Sequence, residues 1–367
     1  MLLLTLRDLR HRRTRFLIVT TVAAVVFALL FLMNGLVEQF HREPVDTTRS
    51  FGADGWVLAT GVAGPFTSSA SVPLTAGKQL DAPRRSPIVV ARASLHRGAL
   101  TPGGVSAGGS SVSGSSVSGS SREVVIVGHD PKGLGAPRVI DGRTAASTGE
   151  VVTDRSIGAR IGSDVQIGED RYRVVGRTRN ATVLAGVPLV YVVLGDAQNM
   201  VFGSRSVVTG FLVKGQPAAL PPGMALRTNH EVAVDTFHPL KNAIVSIDLV
   251  RALLWLVAAV IIGAVVFLSA LERQRDFAVL KAVGTTNAKL AGGLALQAVL
   301  IALLAVLVAS VLQLLLRPAF PLRIRVPDAD YWRLPLLGSL VALLAAAAGM
   351  RSVVRTDPAS AFAGAGG

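Results

Sequence analysis

The residues best equipped for chemistry are thinly spread along this chain. His96, His129, His230 and His238 stand far apart, without the spacing that brings two ligands onto one metal, and each reads as an ordinary surface or turn histidine. No G-x-S-x-G, H-E-x-x-H or paired-carboxylate arrangement stands out. No lysine is followed by Ser or Thr, so the phosphate-cradling G-x-x-x-x-G-K-[ST] loop is missing. There is no cysteine, which excludes disulfides, thiol catalysis and thiolate metal sites. The chain is expected to be no enzyme, with no catalytic and no metal-ligating residues. One stretch does have a pattern suited to work. Phe277, Leu280 and Gly284 fall at i, i+3 and i+7, giving a helix one apolar face, with Glu272, Arg273, Asp276 and Lys281 around it. Gly284 and the Thr285-Thr286 pair then stop the helix. Such a helix suits docking against a partner protein; by pattern alone, lying on the membrane surface is the default reading.

The elements around that stretch decide between these readings. Phe16–Met33, Ala252–Leu271, Leu290–Leu316 and Leu334–Met350 contain no Asp, Glu, Lys, Arg or His. A hydrocarbon core roughly 30 Å thick needs roughly 20 apolar helical residues, which the middle two runs supply alone and the outer two supply with their flanks. Half of the residues are hydrophobic, and the mean hydropathy is +0.52. The formal net charge of +14 sits largely beside the apolar runs. There it sets topology and meets anionic headgroups; no aromatics interleave with a basic groove, so no nucleic-acid partner is expected.

The expected fold is an α-helical integral membrane protein with four transmembrane helices and an extracytoplasmic α+β domain between helices 1 and 2. Residues 1–15 form a cytoplasmic amphipathic segment, with Leu2, Leu3, Leu6 and Leu9 at helical spacing, or simply extend the first helix. Transmembrane helices are expected over 16–40, 244–271, 290–316 and 334–350. Arg7, Arg10, Arg12, Arg13 and Arg15 precede a run too long for a signal peptide, and no small-x-small site follows it, so the first helix reads as uncleaved with its N-terminus in the cytoplasm. The segment 272–289 is then a cytoplasmic coupling loop, 317–333 a short external loop and 351–367 a cytoplasmic tail. Arg317, Arg323, Arg325 and Arg333 in the external loop run against the charge rule, but the inside segments together carry more.

Residues 41–243 change character, with Gly, Pro, Asp and Arg punctuating short β-branched runs. Val124–Val127, Glu150–Thr153, Val165–Ile167, Tyr172–Val175 and Leu189–Leu194 predict strands, with a hairpin at Gly168-Glu169-Asp170. Ser156–Ile161 predicts one or two helical turns, and Asp196 a cap for a short helix through Phe202. Gly103–Ser121 repeats Ser-Ser-Val-Ser-Gly and predicts a flexible linker without a binding role.

The wording of the charged stretch carries a resemblance. Glu272-Arg273-Gln274-Arg275-Asp276-Phe277-Ala278-Val279-Leu280-Lys281-Ala282-Val283-Gly284-Thr285-Thr286 closely resembles the signature of FtsX/MacB-type (type VII) ABC transporter permeases. The tail from Arg351 through Asp357-Pro358 to Phe362 resembles the family's closing phrase. Ile140-Asp141-Gly142-Arg143, Glu150-Val151-Val152-Thr153-Asp154 and Tyr172-Arg173-Val174-Val175-Gly176 resemble its extracytoplasmic domain. The resemblance implies a permease homodimer in membrane lipid, bound to a separate ABC ATPase subunit in trans. ATP and Mg are used by that partner, and no cofactor is bound by this chain. It implies that Glu272, Arg273, Asp276, Phe277, Leu280, Lys281 and Gly284 form the ATPase-coupling surface.

The opening, from Leu3 to Leu36 and then Gly52-Ala53-Asp54-Gly55-Trp56-Val57-Leu58, is similar to the haem-exporter/DevC-like branch. That branch implies an amphipathic substrate (haem, lipid, peptide or drug) near the outer end of the first span, where Met33, Glu38, Phe40 and His41 stand. A normal interfacial helix end with polar residues facing headgroups accounts for the same four residues. Two other functions stay open: a non-transporting mechanical regulator of an extracytoplasmic cell-wall enzyme, which needs a protein partner outside, and a small-solute (amino-acid) importer permease, which needs a polar path that these runs scarcely offer.

Overall fold

The computed structural model describes residues 13–96, 121–272, 286–317 and 324–354. Gly103–Ser120, the segment 1–12 and the coupling residues from Arg273 to Gly284 lie outside them. The described chain divides into two compact units, 40–241 and the helices on either side of it.

The first helix, α1 (Arg13–Ser50), is 38 residues long and contributes to both units. The sheet unit then runs through β1 (Gly55–Ala59), β2 (Val72–Pro73), β3 (Arg84–His96), β4 (Ser121–His129), β5 (Asp141–Gly142), β6 (Glu150–Asp154), β7 (Asp164–Ile167), β8 (Asp170–Thr178), β9 (Thr182–Val183), β10 (Val187–Val193), α2 (Leu194–Phe202), β11 (Val207–Val208), β12 (Gly210–Lys214), β13 (Met224–Thr228) and α3 (Asn229–Phe237). The five predicted strands are β4, β6, β7, β8 and β10, and Ile167 pairs with Asp170 across the predicted hairpin. Gly168 there takes φ +62°, a left-handed conformation that costs glycine little.

The main sheet runs β13-β1-β12-β3-β4-β10-β6-β8-β5, and β7 pairs with both β8 and β3. The pairings β3-β4-β10-β6-β8-β7 therefore return on themselves and close a barrel, which leaves those strands no free edge. Side chains alternate accordingly. Val124, Ile126, Val151, Val190 and Val192 share one core with Leu95, Ile167 and Val174. Val125, Val127, Val152, Leu189 and Tyr191 share another with Phe51, Trp56 and Phe66.

Three local readings are revised. Ser121 begins β4 and is not part of the linker. The helical turn after β6 is a single 3-10 turn, Arg155–Ile157. The residue preceding α2 is Val193, without a side-chain cap; buried Asp196 instead accepts the Gly149 N–H at 2.8 Å, because a partner across space offered it a better bond than its own helix end.

The helical unit consists of the start of α1 together with α4 (Lys241–Glu272), α5 (Asn287–Leu316) and α6 (Asp330–Val354). Leu17–Ser50, Asn229–Leu268 and Ala291–Leu316 are long and apolar enough to cross a membrane. The predicted fourth span falls on α6, a helix of 25 residues. Small residues line the helix contacts: Ala298, Ala302, Ala305 and Ala309 on α5 share a core with Ala342 and Ala346 on α6 and with Phe27 and Phe31 on α1. Apolar tails gain nothing by leaving lipid, so close backbone approach and dispersion must hold such a bundle. The opposite faces, with Leu256, Leu307, Leu315 and Leu344, are exposed and suit a hydrocarbon solvent.

Candidate functional site

The four residues proposed near the end of the first span all lie on α1, but they do not converge. Met33 and Phe40, seven apart, share a face, whereas Glu38 is turned from Met33 by about 140° at 3.6 residues per turn. Phe40 is buried, Met33 and Glu38 are half-buried and His41 is exposed. The His41 ring lies 4.8 Å from the Phe237 ring at the end of α3. Of the coupling residues, only Glu272 is described, as the exposed last residue of α4.

Two residues beyond His41 is a group that sequence reasoning passed over. Glu43 is 3% exposed although charged. Its carboxylate accepts the hydroxyl of Thr182, the N–H of Ala185 at 2.8 Å and the N–H of Gly186 at 2.9 Å. Leu184, Ala185 and Gly186, which join β9 to β10, all have positive φ, at 53°, 64° and 88°. Successive left-handed residues turn their N–H groups the same way and make a concavity for an anion. For Leu184 and Ala185 that conformation costs on the order of 1 kcal/mol each, which the carboxylate offsets. Burial, the larger influence, pushes the Glu43 carboxyl above its ordinary pKa, while the Thr182, Gly186 and Ala185 donors pull it back. One turn further on, Thr47 donates to the Thr182 carbonyl at 2.6 Å, and Ser50 donates back to the Thr47 carbonyl at 2.7 Å. The end of α1 is thus bonded to the β9–β10 hairpin by two side chains at i and i+4. Pro44 inside α1 lacks an N–H, and its carbonyl accepts the Thr48 hydroxyl at 2.9 Å.

The chain's exit from the sheet unit is fastened as well. Trp56 of β1 donates to the Asn229 side chain at 2.8 Å, and Asn229 donates to the Ala53 carbonyl at 2.7 Å. Thr228 and Glu231 complete a capping box on α3, and the Thr67 hydroxyl bonds Asp235 of the same helix.

The quoted phrases of the sheet unit also meet. Gly142 pairs with Gly176 between β5 and β8, and Gly142 has φ +82° with the Val175 carbonyl where a Cβ would stand. Arg143 grips Glu150 with both guanidinium nitrogens, one of them 2.7 Å from the carboxylate. That grip, with the N–H groups of Ala146 and Ser147, holds the Glu150 carboxyl down to about 2. His129, read as a surface residue, is buried against Tyr191, and burial lowers its pKa. Among the described residues no group of three or more His, Cys, Asp or Glu is placed to hold a metal ion.

These features define the class: a multi-helix membrane protein with an α+β domain inserted between its first two long helices. Residues 249–358 match the FtsX-like permease C-terminal family. An uncharacterized ABC transporter permease of Mycobacterium bovis is 38% identical over 366 residues, 99% of this chain and 100% of the relative. Another, from Mycobacterium tuberculosis, is 36% identical over 364 residues, again 99% of this chain and 100% of the relative. The chain belongs to the FtsX-like ABC transporter permeases. Two solved structures are similar in part, each at 12% identity. The extracellular domain of the noncanonic ABC-type transporter YknZ from Gram-positive bacteria covers 45% of this chain and 83% of its own, with a TM-score of 0.30. The periplasmic region of MacB from Actinobacillus actinomycetemcomitans covers 52% and 96%, with a TM-score of 0.33.

Proposed function

We propose that this permease couples ATP hydrolysis on a separate ATPase chain to export or extraction of an amphipathic substrate, by mechanical transmission through α1. The observation that supports this reading is that α1 runs from an apolar crossing segment to an end bonded to the β9–β10 hairpin by Glu43 and Thr47. A helix that begins in an apolar crossing segment and ends bonded to a β-hairpin can deliver displacement to that hairpin, because its backbone bonds stretch little. In this reading the sheet unit is extracytoplasmic, both termini are cytoplasmic in a bacterial plasma membrane, and two copies of the chain work as a dimer. The surface from Glu272 to Gly284 meets the ATPase, which binds ATP and Mg; this chain binds neither and catalyses nothing.

The test is co-purification from native membranes under mild detergent, followed by ATPase assay of the eluate in lipid. A stoichiometric P-loop ATPase, with activity dependent on an intact 272–286 segment and on amphipathic additives, is the expected result. Elution without an ATPase would overturn the coupling, and ATPase activity indifferent to additives but tied to a co-eluting extracytoplasmic protein would favour mechanical regulation over transport.

A further inference from the structure

We propose that a short open stretch of β3 at Arg92 docks an extended segment of a partner protein, with an acidic residue of that segment opposite Arg92. Barrel closure gives every strand its neighbours, but the second edge of β3 is divided between two of them. β12 pairs with Arg84–Ile88 and β7 with Leu95–His96. Within the interval, the Val90 N–H donates to the Thr209 hydroxyl at 3.0 Å, and the Ser94 carbonyl accepts the Gly168 N–H at 3.4 Å. Alternate residues of an antiparallel strand send both backbone groups toward the same neighbour. Arg92 therefore faces the same way as Val90 and Ser94, away from β4. Among the described residues its N–H and C=O meet no partner on that edge.

The gap is shaped as a slot. A cavity of about 260 Å³ is lined by Ala91 and Arg92 of this edge, by Phe66 and Ser69, and by Val201 and Phe202. Phe66 belongs to the core on the Val90 and Val125 face of the sheet. Val201 and Phe202 pack against the core on the Val89 and Val124 face, so walls stand on both sides of the edge. From Val90 to Ser94 is about 13 Å at the rise of a strand, room for three or four extended residues. An acyl chain would meet the apolar walls but leave both Arg92 backbone groups unpaired. A peptide strand satisfies them, as strand addition does at other sheet edges.

The side chains set the preferred pattern. A residue directly opposite Arg92 points to the same face as Arg92, and opposite charges there attract. The Arg92 guanidinium stands 3.6 Å from Glu123, and these side chains are 54% and 58% exposed. Such a pair holds weakly and leaves guanidinium donors for a second carboxylate. The residues on either side of that acid turn toward Val201 and Phe202, which suit apolar side chains. The segment recognised is apolar, acidic, apolar.

This inference goes beyond the transport reading and its test involves no ATPase, so either can fail without the other. The full-length chain in phosphatidylcholine nanodiscs is titrated against fluorescein-labelled Ser-Val-Glu-Val-Ser amide, following fluorescence anisotropy, with empty nanodiscs as the control. Saturable binding to the protein is expected. Methylating the backbone nitrogen of the Glu, which donates to the Arg92 carbonyl, should weaken binding about fivefold, the ratio for one lost hydrogen bond. Lys in place of the Glu should weaken it about threefold. Ser69→Trp, at an exposed position, should fill the slot and abolish binding with the melting curve unchanged. The methylated probe needs no variant, so the test stands whether or not Ser69→Trp folds. No binding beyond empty nanodiscs, equal binding of the methylated peptide, or binding undiminished by a folded Ser69→Trp would overturn the site. Binding that emerges only when Gly103–Ser120 is deleted would also overturn it, since the chain itself would then fill the slot.

Discussion

Glu43 shows how a single side chain settles a joint. Glu43→Ala leaves the Ala185 and Gly186 N–H groups and the Thr182 hydroxyl without their acceptor, at a cost of about 1–3 kcal/mol for each donor that water cannot reach. The expected result is a lower unfolding midpoint and protease sensitivity at the β9–β10 connection, read by limited proteolysis; an unchanged cleavage pattern would show that the hairpin needs no anion. The Arg143–Glu150 pair gives a pH dependence with a definite sign. Glu150 has its folded pKa depressed to about 2 from 4.5, so its contribution is present above about pH 4.5 and is lost as pH falls toward 2. His129, also depressed, from 6.5, adds a loss that begins as pH drops below 6.5. Thermal unfolding of the full chain against pH should therefore steepen twice on acidification. Glu150→Gln should remove the lower step alone; a curve unchanged by that substitution would refute the assignment. Neither group was legible in the sequence. Glu43 was passed over, and His129 read as an ordinary surface or turn histidine, because only the fold brings the hairpin to one and Tyr191 to the other.

Elements were better foretold than their fastenings. Alternating β-branched residues between turn formers predicted β4, β6, β7, β8 and β10, since period-two burial leaves its mark directly on the residue order. β1 and β12 are five-residue runs that open on Gly, and β3 carries Pro87 in its interior; their strand character comes from pairing: Trp56 stands between Leu212 and Arg227 on its two neighbours. Close packing between elements is equally hidden. A Cβ on Gly128 of β4 would collide with the Ala197 side chain of α2, so Gly128→Val should push α2 away and destabilise the sheet unit by about 1–3 kcal/mol, measured by denaturant titration. The proposed coupling segment, 272–286, makes a functional prediction at this scale. Arg273→Glu with Phe277→Ala should lower substrate-stimulated ATPase activity of the complex by an order of magnitude or more, leaving the permease's own melting curve unchanged. Coupled activity equal to wild type would count against a docking role for the 272–286 segment.

At the scale of the whole molecule, the closed barrel explains how the Ser/Gly-rich segment is tolerated. β3 and β4 pair from Ile88–His129 to His96–Ser121, so residues 97–120 only bridge neighbouring antiparallel strands. Deleting Gly103–Ser120 leaves six residues, enough for a hairpin connection. Two halvings of loop length should stabilise the sheet unit by about 1 kcal/mol, seen as a small rise in unfolding midpoint with assembly intact. Loss of folded protein would mean that the segment does more than connect.

The sequence by itself determined that this chain enters a membrane, where the apolar runs begin and end, that a mixed α+β unit separates the first two of them, and which family's wording the loop after the second resembles. Those properties are local or compositional: hydropathy over twenty residues and alternation over five act wherever the chain goes. The tertiary structure alone decided that six strands close on themselves and that Glu43 ends in a concavity of left-handed backbone. Glu43 and Gly186 are 143 residues apart, and a bond between them is defined by what lies near in space, so no window along the sequence contains it.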